Sequence, residues 1–257
     1  MRILVLLKAE FSMKKLMPLI LLSFLFFLLS ACNDMKQIDP EKHFAGPQLV
    51  LAKAIQAADR GSVLRLAKET DLNTPGSDDL TLLFFAINES IYNDNPPERL
   101  EIVSDLVREG ADPLQPQRNM PGSPAEIAAK GDKDIWLKAL LDGGLDPNAR
   151  DKPYHVPLIF TTLESKNTAT LALMLERGVD INTRNSLGET PLVDAFFKGD
   201  FDKVFFLLDH GADPNPVNKQ GRSFRQMVNR KIQQVKEDSD YYNNLKKLDA
   251  KMHSLGG

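Results

Sequence analysis

A single cysteine, Cys32, has no partner within the 257 residues, so no internal disulfide can staple this fold. The four histidines (His43, His155, His210 and His253) are scattered, with no HExxH motif and no spacing that suits zinc. A glycine-rich phosphate loop is missing, and so is the strand-to-helix elbow that presents a nucleophile. These absences give no ground for a catalytic constellation, a metal site or a bound cofactor, and an enzyme is not expected. Basic residues are not in excess: 32 Lys and Arg stand against 35 Asp and Glu. Four of those basic residues and only one acidic residue fall before Cys32, so the remaining body is more acidic than the formal charge of −3 suggests. That balance disfavours nucleic acid as a partner, because phosphate binding needs clustered Lys and Arg. Long apolar runs are also scarce. The longest, Leu16–Leu29, is interrupted by Pro18 and Ser23 and falls short of the roughly 20 residues a membrane-spanning helix needs.

The flanks of that run give it a different meaning. Lys14-Lys15 precede it and Leu29-Ser30-Ala31-Cys32 follows. A basic start, a short apolar core and small residues at the end predict a secretory signal peptide over residues 1–31, with Met13 a more natural start than Met1. Leu-Ser-Ala-Cys resembles the lipobox of bacterial lipoproteins. The resemblance implies that the leader is cut away and that Cys32 is acylated, which would anchor the mature chain to a membrane. A plain signal peptide with an incidental cysteine and an uncleaved anchor are the other readings of the same residues. Residues 32–46 then read as a polar, poorly ordered tether. Asn33 stands where an Asp resembles an inner-membrane retention mark, so the expected place is the periplasm-facing envelope, leaning to the outer membrane.

What the chain has in quantity is repetition. A closing phrase recurs as Gly110-Ala-Asp-Pro, Gly144-Leu-Asp-Pro-Asn, Gly178-Val-Asp-Ile-Asn and Gly211-Ala-Asp-Pro-Asn, at steps of 34, 34 and 33 residues. An opening phrase keeps step with it: Thr81-Leu-Leu, Ser123-Pro-Ala, Val156-Pro-Leu and Thr190-Pro-Leu. Between Gly188 and Asn215 the pattern is clearest. Leu192, Ala195 and Phe196 space one apolar helix face, Gly199-Asp200 breaks it, and Phe201, Val204, Phe205, Leu207 and Leu208 make a second. Two short helices cannot bury their apolar faces alone, so each unit predicts neighbours like itself. The recurring Asp112, Asp146, Asp180 and Asp213 are expected to be turn-capping groups; a catalytic pair would not recur once per unit.

Period and phrases together resemble the ankyrin repeat. The resemblance spans roughly residues 48–232 and implies an all-α fold, a solenoid of about five to six helix–turn–helix repeats closed by a C-terminal capping helix. The expected divisions are the array over 47–232 and the capping helix and tail over 233–257. The helices expected in the third repeat are Pro124–Lys130 and Asp134–Asp142. Trp136 on the second of these reads as core, with a partner anchor as the alternative. The histidine that usually follows the opening phrase is replaced by Phe84, Glu126, Ile159 and Val193, which predicts softer finger loops offset by nearby Asn and Asp. From Asp71 to Asp112 the chain is about eight residues longer than one period. The turn formers of Ile91–Pro97 place that surplus in a longer loop between the two helices of repeat 2.

In the family, loop fingers and first helices form a concave face that binds proteins. Carried onto this sequence, the partner-facing positions are Arg118, Asn119 and Met120 in repeat 3, and Lys152, Tyr154 and His155 in repeat 4. Repeat 5 contributes Ser186, Leu187, Glu189, Phe197 and Lys198. The expected activity is membrane-tethered protein binding by a chain that is monomeric when unbound, through a rigid acidic groove. Periplasmic ankyrin proteins resemble the immunity partners of phospholipase effectors delivered by type VI secretion, so the implied role is neutralising a secreted antibacterial effector. An envelope-assembly or stress-response adaptor is the alternative.

Overall fold

The glycines of the closing phrase recur for a conformational reason. In the computed structural model Gly110, Gly144, Gly178 and Gly211 all have positive φ, between 79° and 116°. At these four places the chain leaves the second helix of a repeat in a left-handed conformation that a side chain would strain. The structure describes residues 38–93, 96–117, 122–237 and 239–255. The leader, Cys32 and the finger residues Arg118, Asn119 and Met120 lie outside them.

A short helix α1 (Pro40–His43) precedes the array. Helix pairs follow as α2 (Gly46–Gln56) with α3 (Arg60–Ala67), α4 (Leu82–Tyr92) with α5 (Pro96–Arg108), and α6 (Pro124–Lys130) with α7 (Ile135–Gly143). Next come α8 (Leu158–Thr162) with α9 (Ala169–Glu176), α10 (Pro191–Phe197) with α11 (Phe201–Asp209), and finally α12 (Phe224–Ile232) with α13 (Asp240–Ser254). First helices stack on first helices, from α2 through α4, α6 and α8 to α10, and second helices stack likewise from α3 through α5 to α7. The apolar periodicity becomes the core between these rows: Leu82, Phe85, Leu106, Leu137, Leu158, Leu171, Leu192 and Leu207 are all buried. Among the described residues no helix is long and apolar enough to cross a membrane.

Helix starts follow from the opening phrase. The Thr81 hydroxyl accepts from Phe84 N at 3.2 Å, and Ser123 makes a reciprocal capping box with Glu126. A second capping box, Ser223 with Gln226, starts α12. Glu126 therefore takes the histidine position for a capping role, whereas Phe84, Ile159 and Val193 turn into the core. The offset expected from Asn and Asp is present as a ladder. Asn73 Oδ1 accepts from Asp112 N at 2.8 Å, Asn148 Oδ1 from Asp180 N at 2.8 Å, and Asn182 Oδ1 from Asp213 N at 2.9 Å. Leu114 occupies the same register in repeat 2 and has no side-chain oxygen to accept such a bond. The repeated aspartates are turn groups: Asp112, Asp146, Asp180 and Asp213 each accept from the backbone N–H two residues on. Asn182→Ala is expected to cost about 1 kcal/mol, one net hydrogen bond, measured as a shift in the urea midpoint.

The structure departs from the sequence expectations at three places in the first three repeats and their approach. The surplus of repeat 2 is helix, not loop. Helices α4 and α5 have 11 and 13 residues where α10 and α11 have 7 and 9, about one added turn each. Pro96 and Pro97 were turn formers by composition, but they open α5, where a missing N–H costs nothing. Second, the tether ends before residue 46. Asp39 caps α1 by accepting from Glu41 N, and Phe44 is buried with its ring edge-on to Phe85 at 5.7 Å. Third, Trp136 is neither fully core nor a free anchor. It is half-buried, and its indole N–H donates to Ser90 on the added turn of α4 at 2.9 Å.

The C-terminal helix behaves as a cap. Leu245, Leu248 and Met252 are buried, α13 packs on α12, and Tyr241 meets Phe201 edge-on at 5.3 Å.

Polar ties also cross between repeats. Asp105 on α5 is buried and bonded by Arg60 from α3 at 2.6 Å and by Arg108 at 2.6 Å. Asp142 on α7 takes Arg177 at 2.6 Å. Buried Lys203 on α11 donates to Ser165 O at 2.6 Å and to Asp200 at 2.5 Å. Burial alone would raise the Asp200 carboxyl, but the Lys203 ammonium and the Lys203 backbone N–H hold it below its ordinary value. A carboxyl depressed in the fold stabilises it above the unfolded pKa, near 4, and that contribution is lost as pH falls through the depressed value. Lys203→Met is expected to cost about 2 kcal/mol at neutral pH and to flatten the loss of stability below about pH 4. Denaturation midpoints at neutral and acid pH check both.

Candidate protein-binding face

The fingers between repeats are narrow hairpins, bridged at Arg150 with Pro157 and at Val217 with Ser223. Repeat 5 closes its finger with Asn185 N donating to Glu189 O at 3.0 Å. One acceptor side chain shapes each tip at the same register. Asp151 takes the Tyr154 N–H at 2.6 Å, Asn185 the Leu187 N–H at 2.9 Å, and Asn218 the Gln220 N–H at 3.0 Å. These turns point the side chains between them outward, which is why apolar residues stand exposed there.

The expected positions divide into three groups. Tyr154 is 79% exposed, Phe197 63% and Leu187 52%, large values for apolar side chains. Phe197 follows buried Phe196 directly, so the helix register separates core from surface between adjacent phenylalanines. A second group is exposed but engaged. Lys152 is ion-paired with Asp112, and Lys198 with Asp194 at 2.9 Å. His155 has a positive φ of 53° and its carbonyl accepts from Arg150, while the Ser186 carbonyl accepts from Lys219 at 2.6 Å. Glu189 forms the third: it is half-buried and holds its own finger shut through Asn185. Arg118, Asn119 and Met120 lie outside the described residues.

Five exposed finger residues, Arg150, Arg184, Val217, Lys219 and Arg222, are not among the positions expected from the sequence. Arg150 donates to Arg184 O, and Arg184 donates in turn to Val217 O at 2.8 Å and to Gly188 O at 2.7 Å. Lys219 reaches back to repeat 5, and Val217 is 51% exposed. The signal was available, since Arg150, Arg184 and Val217 share one register of the repeat. The expectation of an acidic groove is also corrected. In the finger stretches 149–157, 183–190 and 216–223 the basic residues are Arg150, Lys152, Arg184, Lys219 and Arg222, against Asp151 and Glu189 alone. A whole-chain charge averages away such local excess.

Two shallow grooves lie between second helices. One of about 280 Å³ is lined by Leu100, Glu101, Ile135 and Lys138, and one of about 420 Å³ by Leu175, Val179, Ile181, Phe206 and His210. Among the described residues no group of three or more His, Cys, Asp or Glu side chains is placed to hold a metal.

The family model for ankyrin repeats, in three copies, matches residues 125–218. The chain is 32% identical to alpha-latrocrustotoxin-Lt1a of Latrodectus tredecimguttatus over 119 residues, 46% of this chain and 8% of that one. It is 31% identical to neurogenic locus notch homolog protein 2 of Homo sapiens over 161 residues, 60% of this chain and 6% of that one. The chain thus spans less than a tenth of either curated relative. The ankyrin repeat domain of Bcl-3, a member of the IkappaB protein family, superposes with a TM-score of 0.55 at 22% identity, covering 79% of this chain and 85% of that one. Over the described residues the fold is the ankyrin-repeat solenoid, helical apart from its fingers, and ankyrin-repeat arrays present extended surfaces suited to protein interaction.

Proposed function

We propose, from the ankyrin-repeat architecture of residues 46–254, that this chain binds a protein on its finger and first-helix face while lipidated Cys32 holds it to a membrane. The observation that carries the binding reading is the pair Phe196 and Phe197: the core takes the first, and the second stands 63% exposed beside it. With Tyr154, Leu187 and Val217 it supplies the aromatic and aliphatic anchors in which binding energy concentrates. The tether rests on Lys14-Lys15, the apolar core and Leu-Ser-Ala-Cys in sequence. Mass spectrometry of membrane-extracted protein is expected to show an acylated N-terminal Cys32, and an intact N-terminus at Met1 or Met13 would contradict it. Cys32→Ser is expected to stay unprocessed or to lose stable attachment, because durable anchoring needs more than one buried acyl chain.

In this reading the partner is a secreted antibacterial effector of the phospholipase class, met on the periplasmic side of the outer membrane. Support comes from the resemblance to periplasmic ankyrin immunity proteins, not from any single residue. Cells expressing the chain are expected to survive periplasmic delivery of such an effector. Equal killing with and without the chain would remove this role and leave the binding face standing.

A further inference from the structure

We infer that the finger rim of repeats 4 to 6 recognises an extended, acidic segment of its protein partner, one that alternates carboxylates with apolar residues. The inference rests on the binding reading above and adds the chemistry of the ligand. Its basis is how the finger cations are held. Arg150 donates only to neutral acceptors: His155 O at 2.9 Å, Thr183 Oγ1 at 3.4 Å and Arg184 O at 3.4 Å. Arg184 donates to Gly188 O and Val217 O, and Lys219 to Ser186 O. Arg222 is exposed. None of the four is ion-paired within the described residues, in contrast to Lys152, Lys198 and Lys203, each of which has its carboxylate.

Carbonyl acceptors fix the direction of a guanidinium or ammonium without cancelling its charge. Arg150, Arg184 and Lys219 are therefore oriented cations, positioned before any ligand arrives, and little side-chain ordering is left for binding to impose. They come one per finger from three successive repeats, interleaved with exposed Tyr154, Leu187 and Val217. Packed helices lie about 8–10 Å apart, and an extended chain advances about 3.3 Å per residue. A ligand strand running along the fingers would thus present one residue in about every three to each repeat. Carboxylates at that spacing would meet the cations, and the apolar residues between them would meet the anchors. The acidic remainder of the array repels the same segment elsewhere and so favours this rim.

The probe is a fluorescein-labelled peptide of Glu-Leu-Ser repeats, about twelve residues long, titrated into the full chain in nonionic detergent. Saturable binding that weakens with added salt is expected, with no binding of the Lys-Leu-Ser analogue. Lys219→Glu with Arg222→Glu is expected to weaken binding at least tenfold. Arg222→Glu alone, which removes no hydrogen bond seen in the structure, is expected to weaken it severalfold with an unchanged thermal midpoint. The inference is overturned if the acidic peptide does not bind, if the lysine analogue or a single-stranded oligonucleotide binds as tightly, or if the charge reversals have no effect. A protein partner lost on Tyr154→Ala and Phe197→Ala, but indifferent to the charge reversals, would remove this inference and keep the binding face. Indifference to both sets would remove the binding face itself.

Discussion

Phe196→Ala is expected to cost about 3–5 kcal/mol of folding stability, and Phe197→Ala next to it no more than about 0.5 kcal/mol. Phe196 is 5% exposed and sits in an aromatic cluster, edge-on to Phe224 at 5.3 Å and to Phe201 at 6.5 Å. Phe224 opens α12, so removing the Phe196 ring leaves a cavity across the joint between repeat 5 and the terminal pair. Phe197 touches the same cluster only through Phe196, with ring centroids 6.0 Å apart, and gives most of its surface to solvent. Thermal or urea unfolding of the two variants separates them directly. If Phe197→Ala unfolds the protein while Phe196→Ala is silent, the helix register is off by one and the proposed face is not the exposed one.

The second large effect is Leu207→Ala, expected at about 2–5 kcal/mol. Leu207 and Leu208 are both buried in α11, and the Leu207 carbonyl also closes the helix by accepting from Ala212 N at 3.0 Å. In a solenoid each repeat contacts only its neighbours, so the damage is expected to spread along the array and not through it. Hydrogen exchange in the variant is expected to loosen residues 191–255 first, leaving the amides of α2 to α5 close to wild type. Uniform loosening of every repeat would contradict this nearest-neighbour account.

The repeat architecture was legible because two signals share one period: a glycine that must adopt positive φ and an opening phrase that caps or starts a helix. Phe196 and Phe197 were separable for the same reason, since a helix face is fixed by spacing alone. The failures have a common physical cause, which is that composition does not state context. Pro96-Pro97 favours a turn or a helix start equally, and only the continuation of the buried face of α4 through Ile87 and Ser90 decides for helix. Asp39–Phe44 looked like polar tether until the capping of Asp39 and the docking of Phe44 on Phe85 drew it into the core. The basic rim was hidden in an acidic total, because Arg150, Arg184, Lys219 and Arg222 are spread over more than two periods of sequence and meet only when the fingers align.

The central claim is that the finger and first-helix face binds a protein. It is tested most directly by the affinity of a purified partner for the wild-type chain and for the variant carrying Tyr154→Ala and Phe197→Ala, measured by titration calorimetry beside thermal unfolding. Each anchor is expected to contribute at least about tenfold in affinity, roughly 1.4 kcal/mol, while the unfolding midpoint stays within about a degree or two of wild type. Undiminished affinity in the folded double variant would place the binding surface elsewhere on the array and contradict the account.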